Sequence, residues 1–149
     1  MPAARLSVSQ ALLLDNRLCF ALYSTSLSMT KTYKPLLGGL GLTYPQYLVM
    51  LALWEKDGLM VSEIGGRLYL DSGTLTPLLK RLETMALIAR VRDAQDQRRV
   101  RVKLSAAGVQ LKAAAPAIVR CVAAATQHST DELVSLTRRL KALRTRLVP

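Results

Sequence analysis

A chain of 149 residues, half of them hydrophobic, is long enough to bury one core and too apolar to remain disordered. Twenty-one Lys and Arg against ten Asp and Glu leave a formal charge of +11, which makes a polyanion the first partner to consider, either nucleic acid or an anionic membrane surface. Two cysteines without Cys-x-x-Cys spacing and one histidine exclude a zinc site by ligand count, and the pattern calls for no cofactor.

The opening MPAARLSVSQALLLD has a leucine run that stops at Asp15, too short for a secretory core, and no small-residue cleavage pattern follows. Arg17, Lys31, Lys34 and scattered Ser and Thr break the best membrane candidate, so no uninterrupted apolar stretch approaches the roughly 20 residues of a span. The expectation is a cytoplasmic protein that does not enter the membrane. In a reducing compartment a permanent disulfide is disfavoured, which leaves Cys19 and Cys121 as two inert core thiols or as a redox pair.

The first helical run is RLCFALYSTSLSMTKTY, residues 17–33. At about 100° per residue, Cys19, Tyr23, Ser26, Thr30 and Tyr33 share one stripe, so a thiol is lined up with hydroxyls. Taken alone, the stripe also fits a buried small thiol and core tyrosines with wet tips. KPLLGGLGLTYPQ then punctuates the chain with Pro35, three glycines and Pro45. A second helix is expected to begin near Thr43 to Pro45 and to end at Gly58.

LMVSEIGGRLYLDSGTLTPLLKRLETMALI holds two short helical patterns, with Ser62 and then Asp71 or Ser72 as N-caps. In the second, Leu75, Leu78, Leu79 and Leu82 mark a buried side and leave Thr76, Pro77, Lys80 and Arg81 outward. Pro77 fits either a first helical turn capped by Thr76 or a position one turn inside a helix from Ser72. The period then changes to two: Ala89 and Val91 alternate with Arg90 and Arg92, and Val100, Val102 and Leu104 with Arg101 and Lys103. The expectation is a hairpin with an apolar inner face and a basic outer face. At its tip, Asp96 two residues before Arg98 suggests a guanidinium held by a carboxylate.

From Ser105 an Ala-rich helix is expected, kinked at Pro116, with Leu104, Gly108, Leu111, Ala115, Ile118, Val122 and Ala125 on one seam. The last segment repeats the habit with Leu133, Leu136, Leu140, Leu143 and Leu147. Terminal arms with little else to cover them imply a homodimer. The fold expected is mainly α with a small β-hairpin wing: one domain, 1–149, in which 8–38 and 105–149 dimerise and 43–104 form a winged helix-turn-helix. Its second helix would enter the major groove of duplex DNA while the wing meets phosphate or the minor groove.

The stretches LDNRLCFALYS, YKPLL, LGLTYPQYLVMLALWE, LYLDSGTLTPLLKRLE and RDAQDQRRVRVKLS resemble the MarR (multiple antibiotic resistance regulator) family of winged-helix repressors. Within it they resemble the two-cysteine organic hydroperoxide resistance regulators, over roughly residues 14–125. The resemblance implies that Cys19 is the peroxide-reactive cysteine and Cys121 the resolving one. It implies that Tyr33 and Tyr44 hydrogen-bond Cys19 across a dimer and that Tyr23 lines the same site. It implies a DNA surface of Ser72, Gly73, Thr76, Pro77, Lys80, Arg81, Arg90, Arg92, Asp96, Arg98 and Arg99. Ala86 departs from the glycine usual after the reading helix, where a left-handed alanine costs on the order of 1 kcal/mol, and Gly65 with Gly66 weakens the preceding helix.

Tyr33 lies fourteen residues after Cys19, roughly 21 Å along a straight helix, so the two cannot touch within one copy. Two antiparallel copies would bring them together. Phenolic donors favour a thiolate, the form that attacks peroxide; sulfenic acid and then a disulfide with Cys121 would follow. The function expected is therefore a repressor on pseudo-palindromic operator DNA, released by organic hydroperoxide, and not an enzyme. Two rival readings are a MarR-type regulator released by a small phenolic ligand and a thiol peroxidase, the latter having no use for a basic wing.

Overall fold

A computed structural model describes residues 5–148, so Met1 to Ala4 of the N-terminal reading lie outside the described residues. After a short α1 (Val8–Ala11) and a 3-10 turn, α2 (Leu18–Gly38) runs for 21 residues. It continues through Pro35, where the sequence suggested a stop. The missing N–H removes a single helical bond, and packing of Leu37, 1% exposed, holds the last turn in the core.

Thr43 begins α3 (Tyr44–Glu55) with a capping box: its hydroxyl accepts from the Gln46 N–H, and Gln46 Oε1 accepts from the Thr43 N–H. The helix stops at Glu55, short of the expected Gly58. Asp57 there accepts from the N–H groups of Gly58 and Leu104, which ties the turn to a later strand. Next come β1 (Leu59–Met60) and α4 (Val61–Leu68). The N-cap of α4 is Met60, without a side-chain cap, so Ser62 lies inside the first turn rather than at the cap. Gly65 has a packing reason: a Cβ there would sit 3.0 Å from the Leu70 carbonyl oxygen, where the turn through left-handed Tyr69 folds back.

Asp71 caps α5 (Ser72–Thr84) by accepting from the Thr74 N–H at 2.7 Å, and Pro77 therefore stands one turn inside that helix. Leu75, Leu79 and Leu82 are buried against Tyr47, Val49, Met50 and Leu53 of α3 and Ile64 of α4 in one core. The wing, β2 (Ile88–Arg92) and β3 (Val100–Leu104), completes a three-stranded antiparallel sheet in the order β1-β3-β2.

Its register overturns the two-faced hairpin. Arg90 pairs with Val102 and Val91 with Arg101, and residues directly opposite share a face. One face therefore carries Ile88, Arg90, Arg92, Val100, Val102 and Leu104, and the other Ala89, Val91, Arg101 and Lys103. Alternation within each strand holds, but the loop between them sets the opposite parity, mixing basic and apolar residues on both sides.

Ser105 caps α6 (Ala106–Leu111); a 3-10 turn at Lys112–Ala114 leads to α7 (Ala115–Thr126), with Pro116 in its first turn. Ile118 and Val122 are buried, and α7 packs along α2. By length and composition alone, Ala106–Thr126 is apolar enough to cross a membrane, although Lys112 and Arg120 interrupt it. Finally, α8 (Thr130–Leu147) buries no residue within the chain, although Arg144 stacks 4.6 Å over the ring of Tyr69.

Candidate nucleic-acid interface and thiol site

Burial of Leu75, Leu79 and Leu82 fixes the roll of α5 and leaves Ser72, Gly73, Thr76, Pro77, Lys80 and Arg81 exposed along one side. The wing is aimed by its own ion pairs. Arg90 donates from its backbone N–H and from Nε to Glu83 of α5, both at 3.1 Å, which also holds Glu83 below the usual carboxylate range. Arg101, absent from the expected site, donates to Asp93 at 3.1 Å and to the Gly58 carbonyl at 2.9 Å, pinning the hairpin to β1. Arg92 closes the tip on the Gln97 carbonyl.

At the tip the pairing differs from the expected one. Asp96 Oδ1 accepts from the backbone N–H of Arg98, and its Oδ2 faces Arg99 Nε at 3.6 Å. The carboxylate shapes the loop and steadies Arg99, leaving the Arg98 guanidinium without an ion pair among the described residues. Between wing, α4 and α5 lies a cleft of about 560 Å³ edged by Ser62, Ser72, Thr76, Arg90, Arg98 and Arg99. Guanidinium groups and hydroxyls over an apolar floor form a surface complementary to a phosphate backbone.

The tyrosines gather elsewhere. The rings of Tyr33 on α2 and Tyr44 on α3 are 4.6 Å apart, and Tyr47, one turn beyond Tyr44, lies 5.8 Å from Tyr33. Burial, then the neighbouring Tyr44 and Tyr47, push the Tyr33 phenol up to about 12, and burial raises the other two. All three stay protonated O–H donors at ordinary pH. Sequence reading missed Tyr47, although the spacing of three from Tyr44 puts both on one side of a helix. Tyr23, by contrast, is 64% exposed and stands apart from the trio.

Cys19 and Cys121 are free thiols, both exposed on the chain surface. Cys19 lies in the first turn of α2. Cys121 lines a small cleft with Leu36 and Leu40, at the far end of that helix. From Cys19 to Leu36 is roughly 25 Å of helix, whereas a disulfide needs Cα atoms within about 7 Å. The described surface also leaves Leu12, Leu14, Leu18, Leu27, Leu136 and Leu140 uncovered, an apolar area of the kind a partner chain buries.

A helix-turn-helix whose second helix lies beside an arginine-tipped wing defines a winged-helix transcriptional regulator. The chain matches the SarA/Rot transcriptional regulator family over residues 31–115. It is 48% identical over 130 residues to the organic hydroperoxide resistance transcriptional regulator of Bacillus subtilis strain 168, covering 87% of this chain and 88% of that protein. Among solved structures, reduced AbfR bound to DNA superposes with a TM-score of 0.74 at 34% identity, covering 91% of this chain and 94% of that one. The disulfide form of AbfR, a protein of Staphylococcus epidermidis, gives 0.63 at 35% identity, covering 87% and 91%. The chain belongs to the MarR-type winged-helix regulators, in the SarA/Rot and organic hydroperoxide resistance branch. Its relatives are transcriptional regulators, not enzymes.

Proposed function

We propose that a homodimer of this chain represses transcription in the cytoplasm by gripping a pseudo-palindromic operator, and that organic hydroperoxide releases it through Cys19 and Cys121. Residues 8–38 and 105–149 form the dimer; 43–104 read the DNA, with the α5 side from Ser72 to Arg81 in the major groove and Arg98 at the backbone.

One observation carries the redox half. Tyr33 pairs with Tyr44 near the C-terminal end of α2, Cys121 lines a cleft with Leu36 of that same end, and Cys19 lies in the first turn at the other. Antiparallel packing of two α2 helices brings Cys19 of the partner subunit to all three. The phenols donate to the thiolate; its sulfur attacks the terminal peroxide oxygen, the O–O bond breaks, and the alkoxide takes a proton to leave as an alcohol. The sulfenic acid then loses water as the Cys121 sulfur attacks, and an intersubunit disulfide forms. Closing that bond shifts the helices, so the two reading heads lose the spacing of half-sites about one DNA turn apart.

The test is operator titration before and after cumene hydroperoxide. Cys19→Ser keeps DNA affinity and loses the response; release that persists unchanged in that variant overturns the sensor assignment. Cys121→Ser stalls at sulfenic acid or a mixed disulfide, read by non-reducing mass spectrometry.

A further inference from the structure

We propose that Met60 is a second oxidation site, where a hydroperoxide converts the thioether to a sulfoxide that draws Arg99 away from the DNA backbone. This rests on the DNA-gripping half of the function above and is independent of Cys19 and Cys121.

Of the methionines among the described residues, Met50 is buried and Met29 and Met85 pack against the core, whereas Met60 lines the cleft of about 560 Å³ between wing, α4 and α5. It is half-buried, stands opposite Arg101 in the register of β1 with β3, and caps α4 at the foot of the wing. Its sulfur accepts from Arg99 Nη1 at 3.6 Å in a solvent-exposed contact, while Nε of the same guanidinium faces Asp96 Oδ2 at 3.6 Å. A thioether is a weak acceptor, so Arg99 can turn from it to a phosphate when DNA enters the cleft. The sulfur therefore lies both within reach of a dissolved oxidant and against a cation of the DNA surface.

The Met60 sulfur attacks the terminal oxygen of the hydroperoxide. An S–O bond forms as the O–O bond breaks, the sulfur is oxidised by two electrons and the peroxide reduced, and the proton on the attacked oxygen passes to the alkoxide, which leaves as an alcohol. The product is a polar sulfoxide. Its oxygen is a far better acceptor than the sulfur was, so it competes with phosphate for Arg99 and sets a partial negative charge where the DNA backbone must pass. Both effects weaken the grip. A neutral thioether is a poorer nucleophile than a thiolate, so Cys19 reacts first and Met60 registers prolonged exposure. Thiols reverse a disulfide but a sulfoxide needs methionine sulfoxide reductase, so the two marks are erased separately.

The experiment uses the full-length chain with Cys19→Ser and Cys121→Ser, held in excess cumene hydroperoxide for longer than the parent needs to oxidise Cys19. Peptide mass spectrometry finds one added oxygen on Met60. Operator affinity falls by about tenfold and the salt-dependence slope by about one per subunit, and methionine sulfoxide reductase restores both. With Met60→Leu added, the same exposure leaves the affinity where it started. With Arg99→Ala added instead, binding begins weaker and oxidation of Met60 brings little further loss. An oxidised Met60 with undiminished affinity, an equal loss in the Met60→Leu protein, or oxidation of Met29 and Met85 that spares Met60 overturns the proposal. Absence of rapid release in the parent overturns the thiol sensor and leaves Met60 standing; a parent that binds no duplex operator overturns both.

Discussion

The rings of Tyr33 and Tyr44 come from different helices and lie 4.6 Å apart, tilted by 38°. Packing a third phenol, Tyr47, against the pair makes ionisation harder, through burial for all three and, for Tyr33 and Tyr47, through the neighbouring phenols as well. An unfolded tyrosine releases its proton near pH 10, whereas folded Tyr33 holds it to about 12. The unfolded state therefore loses protons first as pH rises. The stabilisation is complete below about pH 10 and declines progressively through about pH 12. Urea unfolding across this range reads a falling midpoint, and Tyr33→Phe makes the decline shallower; an identical slope in the variant contradicts the assignment.

Two wing arginines that look alike in sequence do different work. Among the described residues the Arg98 guanidinium at the tip has no ion pair, while Arg101 joins Asp93 to the Gly58 carbonyl. Arg98→Ala weakens operator and random DNA alike and lowers the salt-dependence slope by about one per subunit, with the thermal midpoint unchanged. Arg101→Ala lowers the thermal midpoint and weakens DNA binding only as the wing loosens. Melting curves beside salt-dependent titrations separate the two; the reverse pattern would sink the division of roles.

Local signals in the sequence carried most of the fold. Thr43 and Asp71 cap where expected, Leu75, Leu79 and Leu82 of α5 face inward while Leu78 is only half-buried, and the strands begin where the period changes to two. What failed was nonlocal. The helix continues past Pro35 because Leu37 finds the core, and Met60 rather than Ser62 caps α4 because β1 feeds directly into it. Strand alternation fixed each side-chain direction but not the register between strands, so Arg90 reached Glu83 instead of solvent. Of the three packed tyrosines, the family resemblance singled out Tyr33 and Tyr44 and passed over Tyr47, since a tyrosine amid an apolar helix reads as ordinary core.

Ala86 follows α5 with φ +59°, the left-handed backbone that L residues avoid. Its N–H donates to Glu83 and its carbonyl accepts from the Ser105 hydroxyl at 2.6 Å, so neighbours on both sides lock the turn. Ala86→Gly relieves strain of about 1 kcal/mol, partly offset by the greater freedom of glycine in the unfolded chain. The expected gain is about 0.5 kcal/mol in chemical denaturation at unchanged m-value; a loss would mean that the methyl group makes contacts worth more than the strain.

Gly108 is the position where adding one carbon does most damage. A Cβ built there would fall 2.2 Å from the Leu87 carbonyl oxygen, a backbone atom that cannot rotate away, and 3.3 Å from the Leu104 side chain. The carbonyl of Gly108 itself accepts from Trp54 Nε1 at 2.9 Å, and its N–H donates to the Ser105 hydroxyl at 3.0 Å. Moving this residue to make room would break the cap of α6 and the tie from α3 in one step. Ala is the better helix former by about 1 kcal/mol, yet overpacking against a fixed carbonyl exceeds that gain. Gly108→Ala is thus expected to destabilise by about 3 kcal/mol or more and to tilt α6 and α7 away from the reading head. Trp54→Phe, which removes the indole donor but adds no bulk, costs about 1 kcal/mol and leaves the tilt unchanged. Denaturation midpoints rank the two, and intrinsic Trp54 fluorescence in Gly108→Ala reports whether the indole has lost its partner. A Gly108→Ala protein as stable as the parent would mean that α6 sits farther from Leu87 than described.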